Sequence, residues 1–339
     1  MTKINALVTG GSGYFGSILI KKLLDNNIQT FSIDINQPKD HVEKIKFFKI
    51  DITNSKEVSD FFQNNKIDVI FHNVAQVPLA KNKQKFNSVN ILGTKNISQY
   101  GKNNGVKHLI YTSSSAVYGV PKNNPVTENT KPIPSEEYGL AKLEGEKICQ
   151  DLSDNNFKVT IIRPRTILGH GRMGIFSILF DWIESNKRIP LFNNGSNLYQ
   201  FVHASDLADA ILLSMNQKYN FEIYNIGASD VLTMRENLEK LVKLVNSKTT
   251  FYSVPLKQTE FLLNLLSFLN LIPLGKYHTL MYGRSLFFDN TKAKKDLKFY
   301  PKYRTTEMFL ESYKDFINNK NKHKSKNLSL HQKKLLNYY

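Results

Sequence analysis

The segment EEYGLAK, residues 136–142, sets a tyrosine and a lysine four residues apart, Tyr138 and Lys142. On a helix that spacing puts both side chains on one face. A phenol, with a pKa of about 10 in water, is a poor base at neutral pH. A neighbouring cation lowers that value and makes the phenol a usable proton donor and acceptor. Exposed helices also carry Tyr and Lys four apart by chance, so the pair acquires meaning only from the rest of the chain.

A second group of residues supplies that context. TGGSGYFG, residues 9–16, satisfies Gly-x-Gly-x-x-Gly as Gly11, Gly13 and Gly16, and Gly-x-x-Gly-x-x-Gly as Gly10, Gly13 and Gly16. Glycines there let the backbone turn sharply and approach a pyrophosphate, while the helix that follows offers free N–H groups and a favourable dipole. The apolar run INALVTG precedes the turn, and YFGSILIKKLLDNN follows it with helical spacing of Phe15, Ile18, Leu19, Leu23 and Leu24. Asp34 ends the next strand-like run, 18 residues after Gly16. A carboxylate there accepts hydrogen bonds from a ribose diol and repels a 2′-phosphate, which predicts NAD rather than NADP.

The elements that must position these groups alternate. TFSID, KIKFFKID, IDVIFHNVA, KHLIYTSSS and KVTIIRP read as further strands, with helices near residues 55–64, 85–104 and around Tyr138. Such alternation predicts right-handed crossovers and an α/β fold: a doubly wound parallel sheet of Rossmann type. The expected organisation is a nucleotide domain over 1–165, to which segments near 200–228 return, a mainly substrate-binding lobe over 166–315, and a basic tail over 318–339.

Composition sets outer bounds. The chain has 339 residues, 41% hydrophobic and 22% charged, as an ordinary globular protein does. Its one cysteine, Cys149, permits no intrachain disulfide and fits a reducing cytoplasm. No secretory leader is expected, and the apolar run 261–275 is broken by Asn264, Ser267, Asn270 and Pro273, so it reads as a buried or lid helix rather than a membrane span. The formal charge is +17, with six lysines and no acids in residues 318–339. That tail reads as a solvated end or as a basic anchor for an anionic membrane surface. Eight scattered histidines and one cysteine show no metal-ligand spacing.

TGGSGYFG, YTSSSAVYG and YGLAK, in that order, closely resemble the extended short-chain dehydrogenase/reductase family of nucleotide-sugar epimerases, dehydratases and related dehydrogenases. The resemblance spans about residues 3–315. It implies that Tyr138 is the catalytic acid/base, Lys142 its partner and holder of the nicotinamide ribose, and Ser114 the residue bonding the substrate oxygen. It implies an NAD site at Gly10, Gly13, Tyr14, Phe15, Gly16, Asp34 and Ile35. Asp51 and Ile52 follow as the adenine-contacting segment. Val74 and Ala75 match the His-x-Ala-Ala turn, with valine where alanine is usual, and Asn90 and Pro164 complete the cofactor contacts, together with Tyr138 and Lys142. The chain would form a homodimer, and no nucleic acid is expected as partner.

The substrate is less defined. Ser115 and Ala116 stand where the family's dehydratases carry an Asp-Glu pair, so elimination of water is not expected. Tyr199 replaces the arginine usual in nucleotide-sugar epimerases, and RPRTILGHGRMG is more like the branch of 3β-hydroxysteroid-type dehydrogenases. Ser114, Ser115, Arg165, Arg172 and Arg284 are the candidate substrate contacts. His203 reads as a structural hydrogen-bonding residue. Three functions follow in order: an NAD-dependent epimerase or oxidoreductase acting on a nucleotide-linked sugar, a dehydrogenase of a lipophilic ring alcohol, and a non-catalytic nucleotide-sensing or RNA-binding protein.

Overall fold

The computed structural model describes residues 4–38, 44–76, 86–171, 176–261 and 283–320. The run 262–275 and the tail beyond residue 320 therefore lie outside the described residues, as does Arg172.

Seven parallel strands make the central sheet: β1 (Asn5–Thr9), β2 (Gln29–Asp34), β3 (Ile45–Lys49), β4 (Val69–His72), β5 (His108–Thr112), β6 (Lys158–Pro164) and β7 (Phe221–Ile226). Their spatial order is β7-β6-β5-β4-β1-β2-β3. The chain runs outward from β1 in one direction, then restarts at β4 and runs in the other. The switch lies between β1 and β4, and a crevice opens at their carboxyl ends, where such sheets take ligands.

Apolar side chains leave both faces of the strands, so both faces are covered. On one, α1 (Tyr14–Asp25) and α6 (Ala204–Ser214) bury Phe15, Leu19, Leu23, Leu207 and Ile211. On the other, α2 (Ser55–Asn64), α3 (Thr94–Asn103) and α4 (Glu137–Leu152) enclose Phe61, Phe62, Ile97 and Cys149. Burying each such side chain contributes about 1.5–3 kcal/mol. A π-helical turn, Phe86–Gly93, leads into α3 where one continuous helix was expected. A third core gathers Phe176, Phe180, Phe201, Leu238 and Phe309 around α5 (Phe176–Glu184), α7 (Met234–Leu244) and the helix Thr305–Lys320.

His72 ties the crevice together from beneath. Thr94 Oγ1 donates to the Asn90 carbonyl at 2.8 Å, so His72 Nε2 donates to Thr94 at 3.0 Å and Nδ1 accepts from Thr9 Oγ1 at 2.7 Å. The ring stacks 5.5 Å from Tyr111 and is fully buried. Burial first, and then the charge of Lys142, push its pKa down to about 3 from 6.5. Between those values the unfolded chain binds a proton that the fold refuses, so stability falls as pH falls through the window. At pH 5 the expected loss is about 2 kcal/mol. Denaturant melts of the parent and His72→Gln at pH 7 and pH 5 measure it. The variant should lose that share of the pH dependence, and an identical pH response in both would contradict the assignment.

Candidate active site

Strand β5 ends in the serines of SSSAVYG. Ser114 caps a single 3₁₀ turn, Ser115–Tyr118, its Oγ accepting from the Ala116 N–H at 3.1 Å. Its own proton remains for another acceptor. α4 starts at Glu136, whose carboxylate accepts from the N–H groups of Tyr138 and Gly139 at 2.8 and 2.7 Å. Gly139 lets this helix end close on the 3₁₀ turn, since a Cβ there would sit 2.5 Å from the Ala116 carbonyl oxygen. The contact brings the helix carrying Tyr138 and Lys142 against the turn carrying Ser114. Tyr138 is half-buried and Lys142 fully buried on that helix.

Lys142 Nζ donates to the Thr112 carbonyl at 2.8 Å and lies 4.6 Å from the centre of the Tyr111 ring. Burial pushes its pKa down to about 7, while Glu146 acts to raise it. Two of the three ammonium protons are left for other acceptors.

Below this pair lies a buried network that the sequence reading did not identify. Arg163 donates from Nε and Nη2 to the two oxygens of Glu146 at 2.9 and 2.5 Å, and from Nη1 to Tyr118 Oη at 2.7 Å. Ser113 Oγ donates to Glu146 Oε1 at 2.5 Å, and Tyr118 Oη to Asn225 Oδ1 at 2.9 Å. Burial works against the Arg163 charge, but its bonds to Glu146 outweigh that and raise its pKa. The signal was available, because Glu146 follows Lys142 by four residues and so continues the face of Tyr138 and Lys142.

The crevice between β1 and β4 fits a dinucleotide. Gly10 has φ +76°, and a Cβ on Gly16 would meet the Gly10 carbonyl oxygen at 2.1 Å, so the turn needs glycine at both. No side chain caps the N-terminus of α1, which starts after Gly13 and leaves its N–H groups for an anion. Asp34 Oδ2 accepts from the Ser12 N–H at 3.1 Å and Oδ1 from the Asn36 N–H at 2.9 Å. Burial raises its pKa, and those backbone bonds oppose the rise. A carboxylate has about four acceptor positions, so room remains for ribose hydroxyls. Beside it Ile35 is 55% exposed, an apolar surface at the strand end.

Several other expected cofactor residues also hold protein to protein. Phe15 is buried in the core, and Tyr14 Oη donates to the Gly169 carbonyl. Asp51 caps its own turn by accepting from Thr53, and Ile52 is buried, its side chain occupying the space beside Gly93. Asn90 clamps the backbone of Gln76, accepting from its N–H at 2.8 Å and donating to its carbonyl at 3.1 Å. That clamp fixes the segment after β4 that contains Val74 and Ala75. Pro164 ends β6, opposite Ile226 of β7.

The candidate substrate residues separate. Arg165 is buried and donates from Nη1 to Ser115 Oγ at 2.8 Å, its guanidinium 4.7 Å from the Tyr199 ring. Arg284 instead pairs with Glu260 through both terminal nitrogens. His203 is fully buried, donates to Glu311 at 2.8 Å and stacks on Tyr303. With His170 and Glu311 it forms a group whose ligand atoms lie within 4.8 Å of one another. Its Nδ1 accepts from the Ser205 N–H at 3.2 Å, so the neutral ring keeps its proton on Nε2 and offers a metal no lone pair there. Among the described residues no helix is long and apolar enough to cross a membrane.

Comparison with known proteins follows the same lines. The family model described as "NAD dependent epimerase/dehydratase family" matches residues 6–227. The uncharacterized protein y4nG of Sinorhizobium fredii is 46% identical over 309 residues, 91% of this chain and 77% of that protein. UDP-glucose 4-epimerase 2 of Oryza sativa is 26% identical over 284 residues, 71% of this chain and 70% of that one. The Bacillus cereus UDP-glucuronic acid 4-epimerase, solved in complex with UDP-glucuronic acid and NAD, superposes with a TM-score of 0.75. It is 23% identical and covers 93% of this chain and 99% of its own.

Proposed function

This chain belongs to the NAD-dependent epimerase/dehydratase family, and we propose that it epimerises a secondary alcohol of a nucleotide-linked sugar through a keto intermediate, with Tyr138 as acid/base. The observation that carries the reading is the closure of α4 on the Ser114 turn, which puts Tyr138, Lys142 and Ser114 at the carboxyl end of β5 beside the dinucleotide crevice.

Bound NAD supplies a hydride acceptor that can also give the hydride back. Ser114 donates its free proton to the sugar oxygen and steadies it as its charge changes. Tyr138 removes the hydroxyl proton at its phenolic oxygen and later returns it. Lys142 stabilises the phenolate form by its charge and uses its two remaining N–H groups on the nicotinamide ribose. Glu146 and Arg163 fix the helix face that presents both residues. Ser115 and Ala116 carry no carboxylate, so the site has no group at that place to eliminate water.

The test is to purify the protein, add UDP- and GDP-linked hexoses without NAD, and follow the sugars by NMR. Interconversion of a pair of epimers supports the reading. A rise at 340 nm that needs added NAD and a hydrophobic ring alcohol, with no sugar turned over, would replace it with the lipophilic-alcohol dehydrogenase.

Asp34 sets the choice of dinucleotide in this reading. Asp34→Ser should strengthen NADP binding relative to NAD by about tenfold or more, because it removes a charge repulsion. Titration of both dinucleotides checks this, and a parent that already prefers NADP contradicts it. Assembly is proposed as a homodimer through α4 and the π-helical turn, where Leu92 and Leu140 are 44% and 55% exposed. Sedimentation at micromolar concentration should show a dimer, and a monomer alone would contradict it.

A further inference from the structure

We infer that the sugar bound here carries a carboxylate, read by Arg165, an inference that rests on the nucleotide-sugar reading above. Arg165 follows Pro164 at the carboxyl end of β6 and is only 1% exposed. A guanidinium stays charged in proteins, and burying one without a counter-charge is costly. Arg165 forms no ion pair among the described residues, and its Nε and Nη2 have no hydrogen-bond partner there. Of the stretches outside the described residues, only 39–43 contains an Asp or Glu side chain. The rings of Tyr199 and Phe288 lie 4.7 and 5.9 Å from the guanidinium carbon; they favour a cation but accept no N–H bond in its plane.

The two unpaired nitrogens are not scattered. Nε and Nη2 form one edge of the planar fork, the edge that meets two oxygens of a carboxylate side by side. Nη1, on another edge, is held by Ser115 Oγ at 2.8 Å. Ser115 directly follows Ser114, the residue that steadies the reacting oxygen. On this inference the unpaired, buried edge meets the reacting end of the substrate rather than its nucleotide, since the arginine is tied to the residue next to Ser114. An anionic group on the sugar ring satisfies both nitrogens and neutralises the charge, so a hexuronate is the class of sugar that fits.

Calorimetry on the NAD-loaded protein tests this with four ligands: a UDP-hexose, its UDP-hexuronate, a GDP-hexose and its GDP-hexuronate, with UDP and GDP as references. The unmutated protein should bind the uronate at least about tenfold more tightly than the neutral sugar on the same nucleotide. Arg165→Gln should erase that preference while leaving the affinity for the free nucleoside diphosphate unchanged. Equal affinity of the unmutated protein for the two sugars would overturn the inference without touching the nucleotide-sugar reading. Weakened binding of the free diphosphate in Arg165→Gln would overturn it too, because the arginine would then read phosphate. If no nucleotide or nucleotide-sugar binds at all, the nucleotide-sugar reading fails and takes this inference with it.

Discussion

Tyr138→Phe should lower kcat by about a thousandfold while the protein keeps its NAD. The substitution removes one oxygen, the atom through which the proton leaves and re-enters the substrate. Phe retains the ring, and the helix start is held by Glu136 through backbone N–H groups, which the change does not touch. Lys142→Ala should behave differently. It removes both the charge beside the phenol and the donors proposed for the nicotinamide ribose, so turnover and NAD retention should fall together. Measuring kcat and the dinucleotide released on denaturation separates the two patterns. A Tyr138→Phe variant within a few-fold of the parent would exclude Tyr138 as the acid/base.

Glu146→Gln should give the largest loss of stability, about 3–5 kcal/mol, because it strands the Arg163 charge in the interior. The two side chains are 5% and 3% exposed, and both carboxylate oxygens are engaged by the guanidinium. The amide also loses one of those acceptors and places a donor against Arg163 or Ser113. Replacing both partners together, Glu146→Leu with Arg163→Met, should be far milder than Glu146→Gln alone, since no charge is then left unpaired. Chemical denaturation of the three proteins measures the difference. A loss under about 1 kcal/mol for Glu146→Gln would mean that the network does not brace the helix.

Much of this was legible in the chain. The glycine turn, Asp34 and the strand–helix alternation predicted the dinucleotide crevice, because each rests on a local rule: φ freedom at Gly10, a free helix start, a carboxylate at a strand end. Strand β6 was expected over the same residues that form it, Lys158–Pro164. Tyr138 and Lys142 were legible as a helix-face pair. The network around Arg163 was legible only at Glu146, which continues the face of Tyr138 and Lys142; Tyr118 and Asn225 join it from the turn after β5 and from β7, elements that only the folded sheet brings together. The same holds for Arg165: its sequence context gives an arginine after a strand, and only packing shows two of its nitrogens buried without acceptors. Asn90 was read as a cofactor contact, and its backbone clamp on Gln76 is a relation across 14 residues that no periodicity encodes. The π-helical turn at Phe86–Gly93 also escaped, since its residues have the composition of an ordinary helix.

The most direct test of the account is the fate of the hydrogen on the carbon that inverts. A nucleotide-linked hexose or hexuronate that the protein turns over is deuterated at that carbon and incubated with the purified protein and no added NAD. The account predicts epimerised product with the deuterium still on the same carbon, because the hydride leaves and returns within one binding event. Loss of the label to solvent, or product formed only in proportion to added NAD, would contradict it.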